Sequence, residues 1–243
     1  MCFELDSEPP IPRIAGAAVS HDDLVLQSED GTRFAAFVAT PEESTETGVV
    51  ILPDVRGLYR FYEELALRFA ERGIAAVAID FFGRTAGVAK RDDDFEYRPH
   101  VEQTTPEGVQ ADTRAAVEYL RAHGCEKLLT VGFCFGGRHS WLAAASGHEL
   151  VGAIGFYGRP DAVIPRVADI DAPILALQAG ADQNITAEDN AAFERALSGA
   201  GVEHELITYD RAPHSFFDRK QEEFAQESDD AWSRVLAFIE GHT

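Results

Sequence analysis

The sequence predicts an α/β fold in which a mostly parallel central sheet is flanked by helices on both faces and led by an N-terminal antiparallel hairpin. Short apolar runs of strand length alternate with segments of helical periodicity along the whole chain. Most of these runs are continuous, which is typical of strands buried on both faces of a parallel sheet. No internal repeat and no linker interrupts the alternation, so residues 1–243 are expected to form a single α/β domain.

The N-terminal hairpin is predicted from an Asp-Gly turn between two apolar runs. Residues 24–26 and 34–38 flank Asp30 and Gly31, and this dipeptide between apolar runs is a strong hairpin signal. A proline-rich stretch ahead of the hairpin predicts that residues 1–20 form an extended N-terminal arm.

The rest of the chain reads as alternating strands and helices. The further predicted strands cover residues 48–53, 74–79, 128–131, 151–156, 173–178 and 205–209. The predicted helices cover residues 61–70, 105–123, 139–145, 186–200 and 222–239. Thr105 and Thr186 are the expected N-caps of two of these helices. The long segment 80–105 has little periodicity, which is typical of a lid or binding loop.

Composition and charge exclude several classes of protein. No apolar run approaches the ~18 residues of a membrane span, and the N-terminus lacks the basic and apolar regions of a signal peptide. We therefore expect no transmembrane helix and a cytoplasmic location. The net charge of −21 argues against nucleic acid or an anionic membrane as partner, because either would be repelled. An anionic substrate would need a local basic pocket.

The cysteines indicate neither a disulfide framework nor a metal site. Cys2, Cys125 and Cys134 are odd in number and unrelated in spacing. They form no Cys-x-x-Cys pair, and no paired histidines accompany them. We expect no cofactor and no metal.

Cys134 lies where a predicted strand meets a predicted helix. The sequence there is Gly132-Phe133-Cys134-Phe135-Gly136, and a nucleophile between such glycines in a strand-turn-helix context is the nucleophile elbow of α/β-hydrolases. The helix N-terminus would favour a thiolate and a developing oxyanion. The alternative is a buried structural cysteine in a glycine-rich turn.

An acid and a histidine follow two later strands. Asp182 and His214 come after Cys134 in the order that the α/β-hydrolase fold imposes, and carboxyl ends of parallel strands share one edge of a sheet. His214 would take the thiol proton and Asp182 would orient the ring. Backbone N–H groups of Phe135 and Val55 are the expected oxyanion donors. The alternatives are a turn-forming aspartate and a surface histidine.

These motifs together resemble the dienelactone hydrolase (carboxymethylenebutenolidase) family of α/β-hydrolases, over nearly the whole chain from residue 24 onward. The similar segments are residues 132–137, 54–57, 80–84, 180–182 and 214–216. The resemblance implies that the catalytic cysteine, aspartate and histidine are Cys134, Asp182 and His214. It also implies that Asp54 stands where the family has a glutamate that contacts the resting thiol, one methylene shorter here.

The resemblance further implies arginines that bind a substrate carboxylate, one shortly after the catalytic histidine and one in the loop after the second parallel strand. The candidate substrate-binding residues are Arg56, Phe82, Arg91, Tyr97, Arg98, Ser215 and Arg219. Surface pairing of the loop arginines with the acidic run 92–94 is an equal alternative. Arg56 could instead pair with Asp54, and His139 is expected to pack rather than to react.

The sequence therefore favours a hydrolase that cleaves an ester or lactone, as in dienelactone hydrolases, by acyl transfer through a cysteine nucleophile. A general carboxylesterase or thioesterase is the alternative enzyme. A catalytically silent ligand-binding or thiol-sensing protein on the same fold is the alternative outside enzymes. The expected partner is a small-molecule substrate, and the chain is expected to be a monomer or a homodimer.

Overall fold

Strands and helices alternate through the residues that the computed structural model describes, which are 7–92, 94–218 and 222–243. The strands are β1 (Val19–Gln27), β2 (Arg33–Pro41), β3 (Thr47–Leu52), β4 (Ala75–Ile79), β5 (Lys127–Phe133), β6 (Gly152–Phe156), β7 (Ile174–Ala179) and β8 (His204–Tyr209). The helices are α1 (Arg60–Ala70), α2 (Gly83–Ala86), α3 (Arg98–Gln103), α4 (Pro106–Ala122), α5 (Phe135–Ala143), α6 (Ala187–Ala200) and α7 (Ala225–His242). A 3-10 helix covers Ile164–Asp169.

The eight strands form one sheet in the order β1-β2-β4-β3-β5-β6-β7-β8. β1 pairs with β2, and β2 with β4, in antiparallel fashion, whereas every pair from β4 to β8 is parallel. The sheet is thus an α/β-hydrolase-like sheet, mostly parallel with an antiparallel hairpin at one edge. This arrangement confirms the fold class that the apolar runs predict.

Helices cover both faces of the sheet, and each face has its own apolar layer. On one face, Phe61 and Phe69 of α1 and Trp232 of α7 lie in the buried cluster. On the other, Leu120 of α4 and Trp141 of α5 lie in a second cluster, which α6 completes. Burial of continuous apolar strands between two such layers is the main stabilisation of the sheet.

The strand register brings several loops to a single edge. Leu52 of β3 pairs with Gly132, Phe133 pairs with Phe156 of β6, and the last residue of β7 pairs with the last of β8. The chain therefore leaves β3, β5, β6, β7 and β8 at the same edge. The candidate catalytic residues all follow these strand ends.

Several local predictions are also confirmed. The Thr105 side chain accepts a hydrogen bond from the N–H of Gly108 at 3.1 Å, and Thr186 forms a reciprocal capping box with Asp189.

Two segments differ from their predictions. Segment 80–105, predicted only as a loop, contains the two short helices α2 and α3. The last helix begins at Ala225, three residues after its predicted start.

The described part of the N-terminal arm lies against α1. Ile11 is buried, and its carbonyl accepts a hydrogen bond from Nε of Arg68 at 3.1 Å. β1 already begins at Val19, so the predicted arm is two residues too long, and its residues 1–6 lie outside the described part. Within the described residues, no helix combines the length and apolar character needed to cross a membrane.

Candidate active site

Cys134 lies in a sharp turn between the end of β5 and the start of α5. Its backbone φ of 54° and ψ of −111° fall in a region that costs a residue with a Cβ roughly 1–3 kcal/mol. Around this turn the backbone approaches other backbone atoms closely at two glycines, Gly132 and Gly136. A Cβ on Gly132 would overlap the carbonyl oxygen of Gly136, and a Cβ on Gly136 would overlap the carbonyl oxygen of Leu52. The half-buried Cys134 side chain stands at the tip of this turn.

His214 and Asp182 form a hydrogen-bonded pair at the ends of β8 and β7. Nδ1–H of His214 donates to Oδ2 of Asp182 at 2.5 Å, where the carboxylate side chain is 0% exposed and the imidazole 26%. Burial raises the pKa of Asp182, but hydrogen bonds from His214 and from the backbone N–H of Asn184 lower it by more, so this pKa lies below its ordinary value. Asp182 is therefore an anion that fixes the ring and leaves Nε2 as proton acceptor.

A buried tyrosine packs beside this pair. The ring of Tyr157, which follows β6, lies 4.9 Å from the ring of His214, centroid to centroid. Its hydroxyl donates to Oδ2 of the buried Asp218 at 3.0 Å. Tyr157 has a positive φ of 37°, which is uncommon for a bulky residue and marks a constrained position. The ring therefore limits how far the imidazole can move.

Cys134 and His214 line a common pocket of about 330 Å³. Its other lining residues are Val55, Val101, Phe135, Arg138, Tyr157, Arg159, Asn184 and Ile185. This volume lies at the small end of the range for small-molecule sites. The pocket is thus wide enough for a small ester or lactone beside the thiol.

Val55 and Phe135, the predicted oxyanion donors, both line this pocket. Phe135 is the first residue of α5, so its backbone N–H has no partner within the helix. Val55 follows β3 in the turn against which the elbow packs. The backbones of both residues therefore border the space beside Cys134.

Comparison with known proteins identifies the family of the chain. The sequence profile of the dienelactone hydrolase family matches residues 34–243. The chain belongs to the dienelactone hydrolase family. The carboxymethylenebutenolidase of Rhodococcus opacus is 29% identical over 268 aligned positions, covering 99% of this chain and 96% of that protein. The chain is thus a hydrolase of this family, as the resemblance of its motifs predicted.

Solved structures share the fold at lower identity. A dienelactone hydrolase-like promiscuous phosphotriesterase from metagenomic libraries matches with a TM-score of 0.81 at 22% identity, covering 93% of this chain and 99% of that one. An esterase of Pyrococcus furiosus matches with a TM-score of 0.70 at 16% identity, covering 96% and 99%. These likenesses show the common fold.

Asp54, at the position of the family's glutamate, is fully buried beside the elbow. Its Oδ1 accepts the backbone N–H of Arg56 at 2.8 Å, and its Oδ2 lies 3.6 Å from an Arg56 guanidinium nitrogen. Within the described residues, the hydrogen bonds and ion pairs of this carboxylate go to Arg56. The pairing of Arg56 with Asp54, an alternative to substrate binding in the sequence analysis, is thereby present, and contact between Asp54 and the thiol stays a prediction.

Arg91 and Arg98, two of the arginines that the resemblance implies for substrate binding, are not among the described residues that line the pocket. Arg91 forms a buried ion pair with Asp80, with its Nε 2.9 Å from Oδ2. Burial raises the pKa of Asp80 to about 6, although Arg91 opposes the rise. Arg98 is exposed at the start of α3. Arg219 lies outside the described residues.

Phe82, Tyr97 and Ser215, three further candidate substrate-binding residues, pack within the fold. Phe82 is fully buried against Phe81 and Phe95, and Tyr97 packs against the same apolar cluster. Ser215 is buried with a positive φ of 67°. None of the three is among the described residues that line the pocket.

Sequence reasoning missed most of the pocket wall. The unpredicted lining residues are Val101, Arg138, Tyr157, Arg159, Asn184 and Ile185. Tyr157 and Arg159 follow β6 at the same sheet edge as the candidate catalytic residues, so the rule that singled out Asp182 would also have found them. His139 is buried, as expected, and burial lowers its pKa to about 3, so it is a neutral packing residue.

Proposed function

We propose that this dienelactone hydrolase family member cleaves a carboxylic ester or lactone through a covalent thioester on Cys134. The observation that carries the proposal is the pocket that Cys134 and His214 both line. Cys134 lies at the tip of a strained turn, and Nδ1 of His214 is held by Oδ2 of the buried Asp182 at 2.5 Å. A nucleophile, a base and an orienting acid are the parts that acyl transfer needs.

The reaction runs in two halves. Nε2 of His214 takes the proton of the Cys134 thiol as the sulfur attacks the substrate carbonyl, and the oxyanion receives the N–H groups of Val55 and Phe135. Collapse of this intermediate breaks the carbon–oxygen bond, and the imidazolium returns its proton to the leaving alkoxide. Water, deprotonated by the same imidazole, then attacks the thioester and releases the acid and the thiol.

Asp54 has a further part in this proposal. Its carboxylate is buried, and the family resemblance implies that the carboxylate at this position contacts the resting thiol and helps deliver it, on substrate binding, as a thiolate paired with the histidine. A negative charge near a thiol disfavours the thiolate. The free enzyme would then be sluggish toward alkylating agents, and substrate binding would complete the activation.

A thiol-sensing role is less well supported by the same geometry. Cys125 precedes β5 and Cys134 follows it, so a strand of seven residues, roughly 20 Å long, separates them. Cys125 is also buried. Among the described residues, Cys134 thus has no nearby cysteine with which to form a disulfide.

The test is hydrolysis of 4-nitrophenyl acetate and of an unsaturated lactone by Cys134→Ala and, as matched control, Cys125→Ala. We expect the Cys134 variant to lose turnover while its thermal unfolding stays cooperative, because a small residue still suits the turn. The Cys125 variant should keep turnover near the wild-type level. Substantial turnover by Cys134→Ala would reject the thiol as nucleophile.

A further inference from the structure

The turn at residues 54–57, which carries Val55, leaves one backbone N–H without an acceptor. The N–H of Gly57 donates to the carbonyl of Asp54 at 3.1 Å, and the N–H of Arg56 donates to Oδ1 of Asp54 at 2.8 Å. Among the described residues, no group accepts the N–H of Val55, and Val55 lines the pocket. This N–H is a donor that the proposed reaction needs, so whatever holds the turn sets its direction.

The hydroxyl of Tyr62 holds the start of this turn. It accepts the backbone N–H of Asp54 at 3.0 Å. Tyr62 lies in the first turn of α1 and is fully buried. Because helical side chains lean toward the N-terminus of their helix, its ring reaches back to the turn that precedes α1. The position of Asp54 therefore depends on a side chain from another element.

The ring of Tyr62 also packs against the elbow. Its centroid lies 5.7 Å from the ring centroid of Phe133, the residue before Cys134. One side chain thus contacts both elements that supply the expected oxyanion donors, the turn with Val55 and the elbow with Phe135. The two donors must converge on a single oxygen atom, and Tyr62 is placed to fix their separation.

Asp80 fixes the other end of the turn. Gly57 has a positive φ of 84°, and a Cβ there would lie 2.5 Å from Oδ1 of Asp80. The same carboxylate accepts the backbone N–H of Leu58. With its end fixed in this way, the turn takes its remaining freedom from its start, where the peptide between Asp54 and Val55 carries the donor N–H.

We propose that Tyr62 is a positioning residue, whose hydroxyl aims the N–H of Val55 at the oxyanion. This inference rests on the proposed function. Without the hydroxyl, the buried N–H of Asp54 loses its acceptor, and the turn must move to satisfy it. A displacement of about 1 Å in a catalytic group can lower a rate roughly 100-fold.

Three substitutions test this role. Tyr62→Phe removes the hydroxyl and keeps the ring against Phe133. Val55→Pro removes the N–H that Tyr62 would aim, and the turn suits it, because a turn with aspartate first and glycine fourth favours proline at its second position. Tyr119→Phe is the matched control, since within the described residues the hydroxyl of this α4 tyrosine forms no hydrogen bond.

The first measurement is ester hydrolysis by the variants. Tyr62→Phe should lower kcat about 10- to 100-fold and leave KM within about 2-fold, because the oxyanion forms only in the transition state. Val55→Pro should lower kcat about 10²- to 10³-fold, and adding Tyr62→Phe to it should cost less than about 2-fold more. Tyr119→Phe should match the wild type. Wild-type kinetics of Tyr62→Phe, or losses that add fully in the double variant, would overturn the inference.

The second measurement, amide hydrogen exchange, needs no turnover. The N–H groups of Asp54 and Arg56 should exchange at least about 5-fold faster in Tyr62→Phe than in the wild type, as for the loss of one hydrogen bond. Unchanged exchange would overturn the positioning role, whatever the enzyme hydrolyses. Faster exchange, in a protein whose wild type cleaves neither esters nor lactones, would support the hold of Tyr62 on the turn and reject the proposed hydrolysis.

Discussion

Replacing Asp182 by asparagine should reverse the tautomer of His214 while leaving the pocket intact. Oδ1 of Asp182 accepts the backbone N–H of Asn184 at 2.8 Å, and an asparagine would keep its carbonyl oxygen there. Its NH₂ would then face Nδ1 of His214, where Oδ2 lies now. Two donors cannot share that bond, so the ring proton moves to Nε2. The nitrogen that faces the thiol then has no lone pair with which to take its proton.

The loss should be large because the position is buried and the bond short. The carboxylate side chain is 0% exposed and its oxygen lies 2.5 Å from the ring, so water cannot substitute for it. The same exchange in a serine protease triad lowers kcat about 10⁴-fold. We expect kcat/KM to fall about 10³- to 10⁴-fold, which corresponds to roughly 4–5.5 kcal/mol of transition-state stabilisation. The Tm should change by only about 3 °C, because the shape and number of polar groups are kept.

The assay is steady-state hydrolysis of an activated ester together with thermal unfolding. Asp169→Asn is the matched control, since Asp169 pairs with Arg166 at an exposed site, and its kinetics should equal those of the wild type. A loss of less than about 10-fold in Asp182→Asn, with the fold intact, would refute the assignment of base and orienting acid.

Three further substitutions test other parts of the structure. Asp54→Asn keeps the bond to its own turn but removes the charge, so we expect a lower kcat and faster iodoacetamide labelling of Cys134; unchanged labelling and kinetics would make Asp54 structural. The pKa of Asp80 is raised to about 6, so its contribution to stability grows as pH falls through that value and is lost as pH rises. Between about pH 7 and pH 5 the free energy of unfolding of the wild type should rise by about 1 kcal/mol because of this group. Guanidinium unfolding of Asp80→Asn should show no such rise, and an equal pH dependence of the two proteins would contradict the argument from burial. Thr186→Ala removes the capping box of α6 and should lower the unfolding free energy by about 1 kcal/mol, and a Tm equal to that of the wild type would count against it.

The sheet was predictable because its strands are local patterns. A strand buried on both faces, such as 48–53 or 173–178, needs apolar residues throughout, and the hairpin needs its Asp-Gly turn. Helix starts at Thr105 and Thr186 were predictable because an N-cap is a chemical requirement of the first turn. Segment 80–105 was not, because its helices α2 and α3 are short and lack a clear apolar period in the sequence.

That the three candidate catalytic residues share one edge of the sheet was predictable for a topological reason, and the pocket wall was not. Residues after parallel strands must meet at one edge, which links Cys134, Asp182 and His214 across the sequence. Arg138 depends instead on the direction of one helical side chain. The sequence left the role of Arg91 open between substrate binding and pairing with the acidic run next to it, and its ion pair with buried Asp80 was not foreseen because the two residues meet only in the folded chain.

The position of β8 makes the proposed base, His214, easier to displace by local unfolding than the proposed nucleophile, Cys134. Cys134 follows β5, which is buried and lies between two neighbours, whereas His214 follows β8, an edge strand that is largely half-exposed. Local opening begins where burial is least. Denaturant should therefore abolish turnover before it melts the helices, at concentrations where the centre of the sheet, and the turn that carries Cys134, are still folded.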